Sequence, residues 1–179
     1  MKQPRILIAG IGNIFLGDDA FGVEVAQRLA QRPQPKNVRA VDFGIRGFDL
    51  ANSLMEGFDL AIFVDAMPRG GLPGTLYILE PDLGELEAHP DQPGGLDMHS
   101  MDPMNVFRLV RAMGGQPCEF YVVGCEPATL GTEENPIMGL SEPVQAAVPE
   151  AVRMIEILIM EIRDTIEALQ GNLTGGISP

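Results

Sequence analysis

The chain has 179 residues, 45% of them apolar, which is enough for one proper hydrophobic core and argues for a single domain. Its net charge of −13 argues against nucleic acid or an anionic membrane surface as partner, since both repel an acidic protein. Two cysteines, Cys118 and Cys125, do not make a disulfide framework or a zinc pattern, and they read as small buried hydrophobes in a reducing cytosol. The opening "MKQPRILIAGIGN" is broken by Gly10 and Gly12, with no small-residue cleavage site after it, so no secretory leader is expected. No apolar run approaches the ~20 residues of a membrane span. The nearest, around "MIEILIMEIRDTI", carries Glu156, Glu161, Arg163 and Asp164 and is amphipathic. A cytoplasmic protein is expected.

In chain order, "RILIAG" (5–10) is a short apolar strand of the kind buried on both faces. A helix over about 19–31 follows, with Phe21, Val25 and Leu29 on one face. "NVRAVDFG" (37–44) gives a second strand, "FDLANSLM" a short helix and "DLAIFVDAM" (59–67) a third strand. This alternation predicts parallel strands joined by helical crossovers. "PRGGLPG" (68–74) is too short for a parallel crossover, which takes ~12 residues, so "TLYILEP" (75–81) should run antiparallel at an edge. A long polar connection, 82–101, holds both histidines. The spacing then predicts a helix over 102–114, with Asp102 as N-cap, Pro103 in the first turn and Gly114 at its stop. After the strand "CEFYVVGCEP" (118–127), Ser141 should cap a long helix whose face runs Val144, Val148, Val152, Ile155, Ile159, Ile162, Ile166, bent at Pro149. The whole reads as an α/β domain over residues 1–169: a twisted, mostly parallel five-stranded sheet with one antiparallel edge strand and helices on both faces. Residues 170–179 read as a flexible tail.

In such sheets ligands bind beyond the carboxyl ends of the parallel strands. Asp18 and Asp19 follow the first strand, Asp42 closes the second, Asp65 the third, and Glu126 follows the fourth. His99 precedes a helix that should start at the same rim, a support that His89 lacks. Asp18 is explained as a helix N-cap. Asp19 suits either the helix dipole or a site. Asp65 ends the apolar run "AIFV", where an unpaired carboxylate costs several kcal/mol, and so favours a functional role.

Gly10, Gly12 and Asp42 are parts of a dinucleotide fingerprint, but Phe15 stands where its third glycine belongs. Two like charges ~4 Å apart cost about 1 kcal/mol in water and about 4 near a protein surface, so a pyrophosphate beside Asp18 and Asp19 would be repelled. No nucleotide cofactor is expected. Two carboxylates and an imidazole instead make an oxygen/nitrogen set suited to Ni, Zn, Mn or Fe, and ligand type does not choose among these.

These elements resemble a known family, the maturation endopeptidases of [NiFe] hydrogenases. The resemblance is carried by "GIGNIFLGDDAFG", "VDFGIRG", "AIFVDAM" and the histidine of "DMHSMDP", with "VVGCEPATL" and "NPIMGLSEPV" matching the last strand and last helix entry. It implies an enzyme that removes a C-terminal extension from the hydrogenase large-subunit precursor after nickel insertion, with the substrate's nickel as recognition signal. Carried over by position, the metal-contacting residues fall on Asp19, Asp65 and His99, which would also serve catalysis. Asp42 matches an acid linked to substrate recognition. The family often has Glu where Asp19 stands, one methylene longer. The rim residues alone would equally suit a non-catalytic chaperone or scaffold that senses the nickel centre.

Overall fold

The computed structural model describes residues 3–81 and 102–174. Five strands, β1 (Ile6–Ile11), β2 (Val38–Gly44), β3 (Leu60–Ala66), β4 (Leu76–Leu79) and β5 (Glu119–Cys125), form one sheet in the order β2-β1-β3-β5-β4. β1 pairs in parallel with β2 and β3, and β3 in parallel with β5. β4 runs antiparallel to β5 at the edge, as the short 68–74 connection requires.

Side chains alternate across this sheet and build two cores. On one face Ile6, Ile8, Ile62, Val64 and Val123 pack against α1 (Phe21–Ala30) and the long C-terminal helix. On the other, Leu7, Ala9, Phe63 and Phe120 meet α2 (Gly47–Leu54) and α3 (Pro103–Ala112). There Phe63 stands edge-on to Phe107 and to Phe120, each pair with ring centroids 5.6 Å apart. The helix α3 starts as its sequence directs, with Asp102 Oδ1 accepting from Met104 N at 2.9 Å and Pro103 in the first turn.

The last helix, α4 (Glu142–Thr174), runs unbroken through Pro149 and buries Val144, Val148, Val152, Ile155 and Ile159. It continues to Thr174, past the residue 169 at which the sequence reading ended the domain. Cys125 is buried and Cys118 partly so; burial pushes their thiols up to about 12 and about 11, as inert core cysteines. Among the described residues no helix is long and apolar enough to cross a membrane.

Candidate active site

The site is built first by glycines. After β1 the backbone turns at Gly12, with φ 132°, and a Cβ there would sit 1.7 Å from the carbonyl oxygen of Asp19. That close approach folds the turn back so that Asn13 N–H donates to Asp19 Oδ2 at 2.6 Å. A 3-10 turn over Asp18–Ala20 leads into α1, whose Gly22 lies so near β3 that a Cβ would meet Val64 O at 1.9 Å. The absence of a side chain at Gly22 therefore presses the start of α1 onto the end of β3. This sets Asp19 beside the next residue of that strand, Asp65.

Asp65 is partly buried and accepts from the N–H of Ala66 through Oδ1 at 2.8 Å. Its carboxyl is pushed up from 3.8 to about 7. Burial is the main cause, and the charge of Asp19 adds to it. The Ala66 N–H works in the opposite direction, and Asp102 raises it a little further. Asp102 therefore adds negative field to the rim besides capping α3, a contribution its sequence reading as a cap left out. The two acids ranked by topology do meet, and each meets one backbone N–H through one of its carboxylate oxygens.

Asp42 lies at the same rim but on the other face of the sheet. It follows Val38 and Ala40, which face α1, whereas Asp65 follows Phe63, which faces α2 and α3. Its Oδ2 accepts from Gln27 Nε2 at 2.9 Å, and its carbonyl accepts from the Arg46 guanidinium. With Asn13, Ile14, Phe15, Ile45 and Arg46 it lines an open groove of about 300 Å³. His99 lies outside the described residues, as does His89. Among the described residues no three His, Cys, Asp or Glu side chains converge as a metal cluster.

Two rim acids have other work. Asp18 is not the N-cap expected of it: no side-chain hydrogen bond caps the 3-10 turn or α1. Its fully buried carboxylate reaches across to the loop before α4, accepting from Ala128 N (2.8 Å), Thr129 N (2.9 Å), Ser141 N (2.7 Å) and Ser141 Oγ (2.9 Å). A capping bond satisfies one donor; this long-range contact satisfies four, and it wins. Ser141 spends its N–H and hydroxyl on Asp18, while its carbonyl starts α4 by accepting from Gln145 N at 2.8 Å. Glu126 is buried too and ties down the β3–β4 connection, accepting from Arg69 N, Gly70 N and the Tyr77 hydroxyl at 2.9, 3.0 and 2.9 Å. Desolvation pushes its carboxyl up, but the donors at Arg69, Tyr77, Gly71 and Gly70 outweigh that and hold it below the usual range. Neither role was legible locally, since the partners lie far along the chain.

An acid pair beyond the carboxyl ends of parallel strands defines an α/β protein with its site at the sheet rim. Solved structures share this architecture. The hydrogenase maturating endopeptidase HybD of Escherichia coli superimposes with a TM-score of 0.66 at 30% identity, covering 88% of this chain and 93% of that one. In sequence, the hydrogenase expression/formation protein HupD of Rhodobacter capsulatus is 31% identical over 90% of this chain and 76% of its own length. The hydrogenase 2 maturation protease of E. coli is 29% identical over 84% and 88%. The family model for hydrogenase maturation protease matches residues 23–157. The chain belongs to the hydrogenase maturation proteases and is an endopeptidase of hydrogenase maturation.

Proposed function

We propose that this endopeptidase removes the C-terminal extension of the [NiFe] hydrogenase large-subunit precursor, and that nickel already inserted in the precursor is the signal it reads. The observation that carries the reading is the pairing of Asp19 with Asp65, close enough that the charge of one raises the proton affinity of the other. Such a pair is relieved by a cation. Each carboxylate uses one oxygen on a backbone N–H, and the second oxygens are the donors we assign to nickel. His99, in the segment leading to α3, is assigned as the third ligand by family position.

The metal belongs to the substrate, so the protein needs only an incomplete ligand set, completed when the precursor docks. Nickel brought by the precursor would supply Lewis-acid polarisation of the scissile carbonyl or of a water, or would only position the peptide while a carboxylate takes the proton. In either case the water oxygen joins the acyl carbon, the C–N bond breaks, and one water proton goes to the leaving amine. No nucleotide takes part.

The test is the intact mass of nickel-loaded and nickel-free large-subunit precursor after incubation with wild type or Asp65→Ala. We expect loss of a C-terminal fragment only from the nickel-loaded precursor and only with wild type. Equal cutting of the nickel-free precursor, or cutting by the variant, would overturn the reading.

A further inference from the structure

We infer that Arg69 determines specificity: its guanidinium receives a carboxylate of the precursor chain, about three residues of extended chain away from the scissile bond. The inference rests on the proposed function and adds which charge the precursor must carry beside the cut, and where.

Strand register sets the position. Asp65 on β3 stands opposite Gly124 on β5, and Gly124 stands opposite Tyr77 on β4. The three form one row across the sheet. Phe63, Val122 and Leu79, two residues away on each strand, pack in the core under α2 and α3, so alternation puts the whole row on that face. Neighbouring strands lie ~4.8 Å apart, which sets Tyr77 about 10 Å from Asp65, or about three residues of extended chain.

Gly124 brings no side chain to the middle of that row. Met67 occupies the place: a Cβ on Gly124 would come within 2.8 Å of Met67 Cβ and 3.0 Å of its Sδ. The Met67 N–H donates to Cys125 O at 2.8 Å, which holds it there. Arg69 follows on the same face. Its Nη1 donates to Met67 Sδ at 3.8 Å, and its Cζ lies 5.4 Å from the centre of the Tyr77 ring. A cation thus stands at one end of a row that has Asp65 at the other.

That cation is available to a ligand. The chain has 25 acidic residues against 12 Lys and Arg, yet among the described residues no carboxylate pairs with the Arg69 guanidinium. Arg32, Arg39, Arg46 and Arg153 each have such a partner. Glu126 takes the Arg69 backbone N–H and the Tyr77 hydroxyl, each at 2.9 Å, and so fixes the backbone and the ring while leaving the guanidinium over the ring. The Gly74 N–H, donating to Glu126 O at 2.8 Å, fixes the far end of the same connection. A guanidinium carried on a fixed backbone loses little freedom when an anion docks, and its planar fork matches a carboxylate. The field around the cut is acidic, from Asp19, Asp65 and Asp102, so a precursor acid is repelled there and accepted only at the distance of Arg69.

The experiment measures the Kd of nickel-loaded precursor, and the rate at which bound precursor is cut, for wild type, Arg69→Gln, Arg69→Glu and Arg69→Lys. Arg153→Gln on α4 is the control, an exposed arginine paired with Glu150. Arg69 is exposed and its backbone bond to Glu126 does not involve the side chain, so its variants should fold as wild type does. We expect Kd to rise about tenfold in Arg69→Gln and further in Arg69→Glu, with Arg69→Lys recovering part of the loss and Arg153→Gln unchanged. The cutting rate of bound precursor should stay within about twofold of wild type, because the contact is made before and during the reaction alike. Changing every precursor Asp and Glu within about four residues of the cut to Lys should make Arg69→Glu the tighter binder. An unchanged Kd in Arg69→Glu, an equal loss in Arg153→Gln, or an Arg69 dependence that survives on a precursor without carboxylates in that span would each overturn the inference. Binding that depends on Arg69 with no cut by wild type would overturn the proposed function and leave the Arg69 contact standing. Cutting of nickel-loaded precursor that is indifferent to Arg69 would do the reverse.

Discussion

Replacing Asp65 by Asn should make the metal-free protein more stable at neutral and alkaline pH. The folded state holds a proton on Asp65 up to about pH 7, against 3.8 for an ordinary Asp. Each tenfold change in proton affinity is worth about 1.4 kcal/mol, so keeping this carboxylate ionised at pH 8 costs the fold about 4 kcal/mol as a ceiling. The sign follows from proton counting. Between pH 4 and 7 the folded state binds more protons here than the unfolded chain, so stability falls as pH rises through that window. Below it both states are protonated and the cost is gone. Asn is neutral, has the same shape, and keeps an oxygen for the Ala66 N–H. Urea unfolding followed by circular dichroism, in chelator, should show Asp65→Asn more stable than wild type by roughly 2–4 kcal/mol at pH 8. At pH 4 the two should be nearly equal. A variant that is equally stable or weaker at pH 8, or that gains as much at pH 4, would refute the claim that the fold holds this carboxylate against its preference.

Asp18→Ala should act in the other direction. It removes four hydrogen bonds to a buried carboxylate, and since the donors sit on a loop that water can reach, the net loss is roughly 3 kcal/mol. At this chain length that is a melting temperature about 6–12 °C lower, which calorimetry would measure. A shift under 2 °C would rule out the cross-loop contact as a stabilising element. Glu126→Gln should speed amide hydrogen exchange at Gly70, because a carboxylate accepts the 69–71 donors better than an amide does. Its folded pKa lies below the usual value, so the hold is present above the unfolded pKa and is lost as pH falls through the folded one. The difference between wild type and variant should vanish in acid; a difference that persists there would assign the effect to shape and not to charge.

The sheet could be read from the chain because its rules are local. Apolar runs of strand length, helical spacing between them and a seven-residue gap too short for a crossover were enough to place β4 antiparallel. The start and stop of α3 were equally legible, since Asp102, Pro103 and Gly114 act within one turn of where they stand. The groove beside Asp42 was not, because it forms only when the opening turn and the end of β2 come together and leave Ile14, Phe15 and Ile45 uncovered. Periodicity marks residues that must be buried and says nothing of apolar residues left outside.

The neighbours Asp18 and Asp19 show why a motif needs its fold. In sequence they are an equivalent pair at the start of a helix, and electrostatics alone would make them a liability. The 3-10 turn separates them by pointing consecutive side chains in different directions. Asp18 turns inward, where four donors from the 128–141 loop satisfy its buried carboxylate. Asp19 turns to the rim, takes a single backbone N–H, and puts its charge on Asp65. The first acid satisfies its surroundings and holds the turn in place; the second stands, with the Asn13 N–H, beside another carboxylate. Only the second has anything to gain from a cation, so the stability of one aspartate is what allows its neighbour to be held in a position it would not choose.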